Sequence, residues 1–372
     1  MKDDTGRGRS RSNTGHVTLG EGNTPLIFSQ QIGCEIGLKS LFFKLENCNP
    51  SGSYKDRFSA SQIDLLLRSG VRSCLATSSG NTGASIAAFC ARYGLKCGII
   101  VGESVPTGKL EQMQAHGASL LRVADYDTSP EVGQRVLEFL LNFSKSHGLP
   151  FVISSYRHCP VGMSGVESLS AELFDQLDGE IDHVFVPVGG GGLFTAVCRG
   201  FFKKGPSIPR VHAVQTKGCS TIAAAWLRGD DEIRSVTSTT TVTGISVSYN
   251  VDGDEALRML RRVNGLGLAV SDEDVYAAQQ MLLDREGIFA EPAGAASLAG
   301  LIAGVKAGQI DRHCRIVCLV TGSGFKDPSS ISRAAANCPA IWIGFDELEG
   351  NLIQLVSPTA EHEDPEQSNG AS

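Results

Sequence analysis

Val186-Pro187-Val188-Gly189-Gly190-Gly191-Gly192-Leu193 decides the fold class of this 372-residue chain. An apolar run over 183–188 feeds into four glycines, and an amphipathic segment of helical pattern follows. Four residues without side chains between a strand and a helix carry an entropic cost that usually reflects a ligand. They let backbone N–H groups converge on an anion such as a phosphate. The carboxyl end of a parallel strand is also where open sheets bind ligands. The spacing is not G-x-G-x-x-G, and no Walker lysine follows.

Outward from this point the same alternation repeats. Short apolar runs at 41–45, 73–76, 96–101, 119–123, 151–154, 210–215 and 315–320 are mostly continuous, as expected of strands buried on both faces of a parallel sheet. Helical patterns lie between them. The segment 81–93 closes at Gly94, a plausible glycine C-cap. Segments 166–177 and 272–285 follow the helical period, with Ser271 and Asp274 spaced as a capping pair. This βαβα order predicts an α/β fold.

Composition excludes several classes. A formal charge of −7 argues against a nucleic-acid binder. No run reaches the roughly 18 apolar residues that span a bilayer. The first residues lack the apolar stretch of a secretory signal. The tails 1–17 and 357–372 read as disordered. Eleven cysteines, an odd number, form no C-x-x-C pair and sit mostly inside apolar runs, as do Cys74, Cys90, Cys97 and Cys318. Cys314 and Cys318 stand apart from other ligand types, so no metal site is expected. Free buried thiols in a reducing cytoplasm are the simplest reading.

Three further segments carry chemistry. In Asn49-Pro50-Ser51-Gly52-Ser53-Tyr54-Lys55-Asp56-Arg57 a turn precedes a helical pattern that begins only after Arg57. Lys55 there is either an ordinary surface cation or a nucleophilic amine held in a partly dry pocket. Asp56 and Arg57 could pair with each other or fix the helix start. Thr77-Ser78-Ser79-Gly80-Asn81-Thr82-Gly83 follows a strand and opens a helix, where an anion such as a substrate carboxylate is favoured. A well-capped helix start is the plain alternative. Arg315-Ile316-Val317-Cys318-Leu319-Val320-Thr321-Gly322-Ser323-Gly324 again ends a strand in hydroxyls and glycines, where a turn is the simpler reading of the segment alone. Hydrolase signatures are missing: there is no G-x-S-x-G, and the eight histidines show no H-E-x-x-H.

Taken together, in this order and spacing from about Leu19 to Pro328, the segments resemble the tryptophan-synthase-β superfamily of pyridoxal-phosphate (PLP) enzymes, fold type II. The resemblance implies two domains, each with a twisted, mostly parallel sheet flanked by helices: 18–58 with 156–356 as the large PLP-binding domain and 59–155 as the small one. It implies that Lys55 is the lysine that bonds the cofactor and acts as base at the substrate Cα. Asn81 would contact the cofactor's ring oxygen, Ser78, Ser79 and Thr82 the substrate carboxylate, and Gly189, Gly190, Gly191 and Gly192 the cofactor phosphate. Thr321 would give a neutral hydroxyl to the ring nitrogen, which suits elimination and replacement better than transamination. A homodimer acting on a small amino acid is implied as well.

Within the superfamily the chain is most similar to threonine synthases, through Leu19-Gly20-Glu21-Gly22-Asn23-Thr24-Pro25-Leu26, the Lys55 segment, Arg285-Glu286-Gly287-Ile288-Phe289-Ala290-Glu291-Pro292-Ala293 and the Gly-Phe-Lys-Asp-Pro ending at Pro328. It departs from them in three places. The glycine loop resembles that of serine and threonine dehydratases. Tyr156-Arg157-His158-Cys159-Pro160-Val161-Gly162 stands where a phosphate-gripping arginine is expected, with Gly162 at the arginine position. Thr243-Gly244-Ile245-Ser246-Val247-Ser248 lacks a basic residue. A phosphate-ester leaving group would want those charges, so a substrate other than O-phosphohomoserine is expected. Gln215 stands near the metal-binding glutamate of dehydratases and racemases, and a neutral amide is a poorer cation ligand. Serine/threonine dehydration, β-replacement and a non-catalytic cofactor-binding role are the alternatives.

Overall fold

The computed structural model describes residues 16–356 except 79, 104, 106, 127, 128, 337 and 338. Both expected tails lie outside the described residues apart from His16 and Val17, and Val17 is buried. The described residues up to Ile331 form one compact unit. From Ser332 a second unit carries a single helical turn, Phe345–Glu347, running into the helix Leu348–Val356. No helix among the described residues is long and apolar enough to cross a membrane.

Among the described residues the first unit holds ten strands in two sheets. They are β1 (Leu26–Phe28), β2 (Ser40–Leu45), β3 (Ser73–Thr77), β4 (Lys96–Gly102), β5 (Ser119–Val123), β6 (Phe151–Val152), β7 (His183–Pro187), β8 (Arg210–Thr216), β9 (Gly267–Val270) and β10 (Arg315–Val320). The larger sheet runs β1-β2-β10-β7-β8-β9 and the smaller β5-β4-β3-β6. Every pairing is parallel except β1 with β2.

The continuous apolar runs reflect burial on both faces, as parallel sheets require. All five residues of β7 are buried, as are five of six in β10. Alternate side chains serve opposite faces. Val184, Val186, Val317 and Leu319 join a core that continues into the small sheet and takes in Phe89 and Ile99. Phe185, Ile316 and Cys318 join a second core under the helix Pro292–Lys306. The strands not expected from sequence, β1 and β9, have three and four residues and sit at the two edges of the large sheet.

Helix ends obey local chemistry. The helix Asn81–Tyr93 stops at Gly94 in the left-handed region. Asp272–Glu286 opens on the reciprocal Ser271–Asp274 capping box. The segment expected as one helix over 166–177 is Ser168–Gln176, preceded by a separate helix, Pro160–Val166. The helix expected after Arg57 starts at Lys55 itself. Its first turn buries Asp56 and Arg57, so apolar periodicity understates where it begins.

Because β2, β10, β7 and β8 run parallel, their carboxyl ends share one edge of the large sheet. The segments that follow β2, β7 and β10 are the Lys55 turn, the glycine loop and the Thr321 turn.

Candidate active site

A cavity of about 1620 Å³ lies at this edge, lined by Lys55, Asn81, the four glycines and Thr321 among others. Lys55 is half-buried. Its Nζ donates to Ser154 Oγ at 2.8 Å and stands 4.6 Å from the Tyr54 ring centre. Ser154 follows β6, which ends at Val152, two residues short of the expected run.

The Lys55 turn is stitched to the end of β10. Tyr54 N–H donates to Thr321 O at 3.1 Å, Ser323 N–H to Gly52 O at 2.9 Å, and Ser53 bridges Gly322. Asp56 and Arg57 do not pair with each other. Asp56 accepts from Ser51 N–H (2.6 Å), Ser51 Oγ (2.5 Å) and Ser85 Oγ (2.5 Å), while burial pushes its carboxyl above the usual range. Arg57 is buried against two carboxylates, donating to Glu46 (2.7 and 2.8 Å) and Glu172 (2.5 and 2.7 Å). Lys44, fully buried, completes this network at 2.8 Å from Glu172.

The glycine loop is shaped by close approach. Gly191 has φ +97°, and a Cβ there would stand 2.8 Å from Asp252 O and 2.9 Å from Ala256 Cβ. A Cβ at Gly192 would meet Asp252 Oδ2 at 3.0 Å, and one at Gly189 would meet Val247 at 3.1 Å. Asp252 N–H donates to Gly190 O at 2.9 Å, closing the 247–252 segment over the loop. The loop runs into the N-terminus of the helix Gly192–Lys204, so unpaired N–H groups and the helix dipole favour an anion there.

Asn81 is the first residue of its helix and donates through Nδ2 to Glu291 Oε1 at 2.8 Å. Ser78 Oγ accepts from Gly80 N–H at 3.3 Å, and Thr82 is buried. Ser79 lies outside the described residues. Thr321 is buried at the wall of the cavity. The structure thus gathers Lys55, Ser78, Asn81, Thr82, the four glycines and Thr321 around one cavity.

Other expectations meet structural detail. A Cβ at Gly162 would stand 2.5 Å from Phe58 and 2.9 Å from Gln62 Oε1, so no longer side chain fits there. Gln215 accepts from Ile222 and Ala223 N–H at 2.8 and 2.9 Å and donates to Thr221 Oγ1 and Gly189 O, which ties its amide into the fold. The sulfurs of Cys74, Cys90 and Cys97 lie within 4.8 Å of one another. Cys74 and Cys97 are register partners on β3 and β4, a convergence that no C-x-x-C spacing announces. Sequence reasoning also assigned no role to Glu291, Ser154 or Asp252. Their contacts span 96 to 210 positions, and no local pattern carries such a signal.

The family model for pyridoxal-phosphate dependent enzymes matches residues 17–322. Threonine synthase of Methanocaldococcus jannaschii is 35% identical over 348 residues, covering 91% of this chain and 84% of that protein. Threonine synthase of Halalkalibacterium halodurans is 32% identical over 331 residues, covering 87% and 88%. Among solved structures, maize serine racemase superposes with a TM-score of 0.72 at 25% identity, covering 88% of this chain and 93% of that one. The processed form of threonine deaminase isoform 2 from Solanum lycopersicum gives 0.71 at 20% identity, covering 85% and 88%.

Proposed function

The chain belongs to the pyridoxal-phosphate dependent enzyme family, and on that premise we propose a lyase or synthase that performs elimination or replacement at the β or γ carbon of a substituted amino acid, with Lys55 bearing the cofactor. The observation that carries the reading is the placement of Lys55 Nζ in the same cavity as the glycine cradle.

The residues fit the group. A Cβ at Gly191 would strike the Asp252 backbone and one at Gly192 would crowd its carboxylate, so the loop carries no side chains, and its bare backbone N–H groups suit a phosphate. Asn81 stands at the helix start opposite, and the buried Thr321 hydroxyl is a neutral partner for a ring nitrogen. Bound there, pyridoxal phosphate supplies an electron-withdrawing ring that stabilises negative charge developing at the substrate Cα. Lys55 Nζ, once released, takes the proton from Cα, and the Ser154 hydroxyl holds that amine in place. Ser78 and Thr82, with Ser79 beside them in the chain, bind the substrate carboxylate at the N-terminus of the Asn81 helix.

The substrate we favour carries an uncharged leaving group. No arginine lines the cavity among the described residues. Its lysines are Lys55, Lys109 and Lys326, against the carboxylates Glu111, Asp252, Glu291 and Asp327. Lys326 already donates to Ser51 O and Gln112 Oε1. A second phosphate, added to that of the cofactor, would find little compensating charge. A threonine-synthase-like enzyme of altered substrate is therefore our first reading. Serine/threonine dehydration is the second, favoured by Gly189-Gly190-Gly191-Gly192-Leu193. We further infer a cytoplasmic homodimer, and a small domain formed by 59–155, the stretch that supplies β3 to β6.

The test is the visible absorption of purified protein with added PLP, before and after O-phosphohomoserine, O-phosphoserine, O-acetylserine, serine and threonine. A band altered in Lys55→Ala and shifted by one of the substrates that carry no phosphate is expected. A shift with O-phosphohomoserine alone refutes the altered substrate, and no band at all refutes the assignment of the site.

A further inference from the structure

Glu291 lies on the cavity wall, where so far it has counted only as one negative charge among four. It is held at both ends. Glu291 N–H donates to Gly322 O at 2.9 Å, Ala290 bridges Ser323, and Glu291 O accepts from Gly294 and Ala295 N–H at 2.9 and 3.1 Å. Its extended backbone is the one that a following proline imposes, and Pro292 starts the next helix. The side chain therefore projects from a fixed base beside the end of β10.

From there Oε1 takes the Nδ2–H of Asn81, which opens a helix of the small sheet. The glycine at 322 makes room for the pair: a Cβ there would stand 2.3 Å from Glu291 Oε1 and 3.1 Å from Asn81 Nδ2. Burial raises the Glu291 carboxyl to about 6, with Lys326, Asn81 and Lys109 acting against that rise and Asp327 adding to it. At neutral pH the group is chiefly a carboxylate. A carboxylate only accepts, so the Asn81 amide must present nitrogen to it, not oxygen.

We propose that Glu291 is a positioning residue for the cofactor: it fixes which way round the Asn81 amide stands, so that Asn81 offers its second N–H, and not its carbonyl, to the cofactor's ring oxygen. The proposal rests on the reading of Asn81 given above. A donor stabilises negative charge on that oxygen, whereas a carbonyl facing it would repel the charge. Glutamine at 291 has both a donor and an acceptor and leaves the Asn81 amide free to turn over. Aspartate retains an acceptor-only group.

The experiment compares wild type, Glu291→Gln, Glu291→Asp, Asn81→Ala and the Asn81→Ala/Glu291→Gln double variant, reconstituted with PLP. Three quantities are read: the position of the visible band, the pH at which it interconverts, and the PLP dissociation constant. Glu291→Gln is expected to move the band and its pH transition and to weaken PLP by about tenfold, the scale of a lost charge-assisted contact. Glu291→Asp should restore wild-type behaviour in part. In the Asn81→Ala background, Glu291→Gln should change nothing further. A Glu291→Gln protein with the wild-type band, titration and affinity overturns the proposal, as does an effect that persists undiminished without Asn81. Lys55→Ala separates the two levels. If wild type shows no band that depends on Lys55, the site assignment falls and the proposal with it. If that band is present and Glu291→Gln leaves it unmoved, only the role of Glu291 falls.

Discussion

Replacing Arg57 by methionine should cost this protein about 3–5 kcal/mol of stability, the range for removing one partner of a buried ion pair. The guanidinium is 2% exposed and is the main neutralising partner of Glu46, which is wholly buried. Methionine fills much of the volume but strands that carboxylate with Thr24 Oγ1 and Asn49 Nδ2 as its remaining donors. Glu172 is better placed to relax, because it is 16% exposed and keeps Lys44 at 2.8 Å. In a chain of this length the loss corresponds to a fall in Tm of roughly 4–6 °C. A pH series tests the cause. Burial opposes ionisation of Glu172, but its contacts with Arg57 and Lys44 outweigh this and hold its carboxyl at about 2. A depressed folded-state value gives stability that is present above the unfolded value, about 4.3, and lost as pH falls through the folded one. The gap between wild type and Arg57→Met should therefore narrow as pH drops from about 4.5 toward 2. Urea midpoints across that range provide the assay. A difference below about 1 kcal/mol at pH 7, or one that stays constant down to pH 2, would refute the reasoning.

Two further outcomes are expected. Gly191→Ala forces a side chain into positive φ, at about 1–2 kcal/mol, and onto Asp252 O, adding about 1–3 kcal/mol of overpacking; a PLP titration and a thermal melt should show the cradle failing before the fold does. Burial lowers the pKa of both His183 and His212, that of His212 to about 3, and the rings share a 2.8 Å hydrogen bond inside the large sheet. The native state therefore excludes protons that the unfolded chain takes up below about 6.5. Between pH 6.5 and 5 stability should fall with pH, by up to about 1.4 kcal/mol per unit from His212, and a His212→Gln protein that keeps the full slope would contradict this.

The features legible in the sequence are those with a local cause. Two-sided burial writes β7 and β10 as unbroken apolar runs. Backbone that must stay free of side chains writes 189–192 as glycine. A left-handed C-cap writes Gly94, and a capping box writes Ser271 and Asp274. Edge strands β1 and β9 escaped because three or four residues give no period to read. The start of the Lys55 helix escaped because Asp56 and Arg57 are polar and yet buried, their burial depending on Ser85 and Glu172, far along the chain.

Alone, the order of its motifs determined that this chain builds parallel sheets with a lysine, a helix start and a glycine loop at strand ends, since strand direction brings those ends to one edge. The tertiary structure decided what each group meets there. Ser154 meets Lys55 across 99 positions at the wall of the cavity. Glu291 meets Asn81 across 210 positions because β10 and a helix of the small sheet border the same cavity. Asp252 closes over the glycines because its segment returns to them. Such contacts arise from the packing of distant elements, and neither residue of a pair carries in its own neighbourhood any trace of the other.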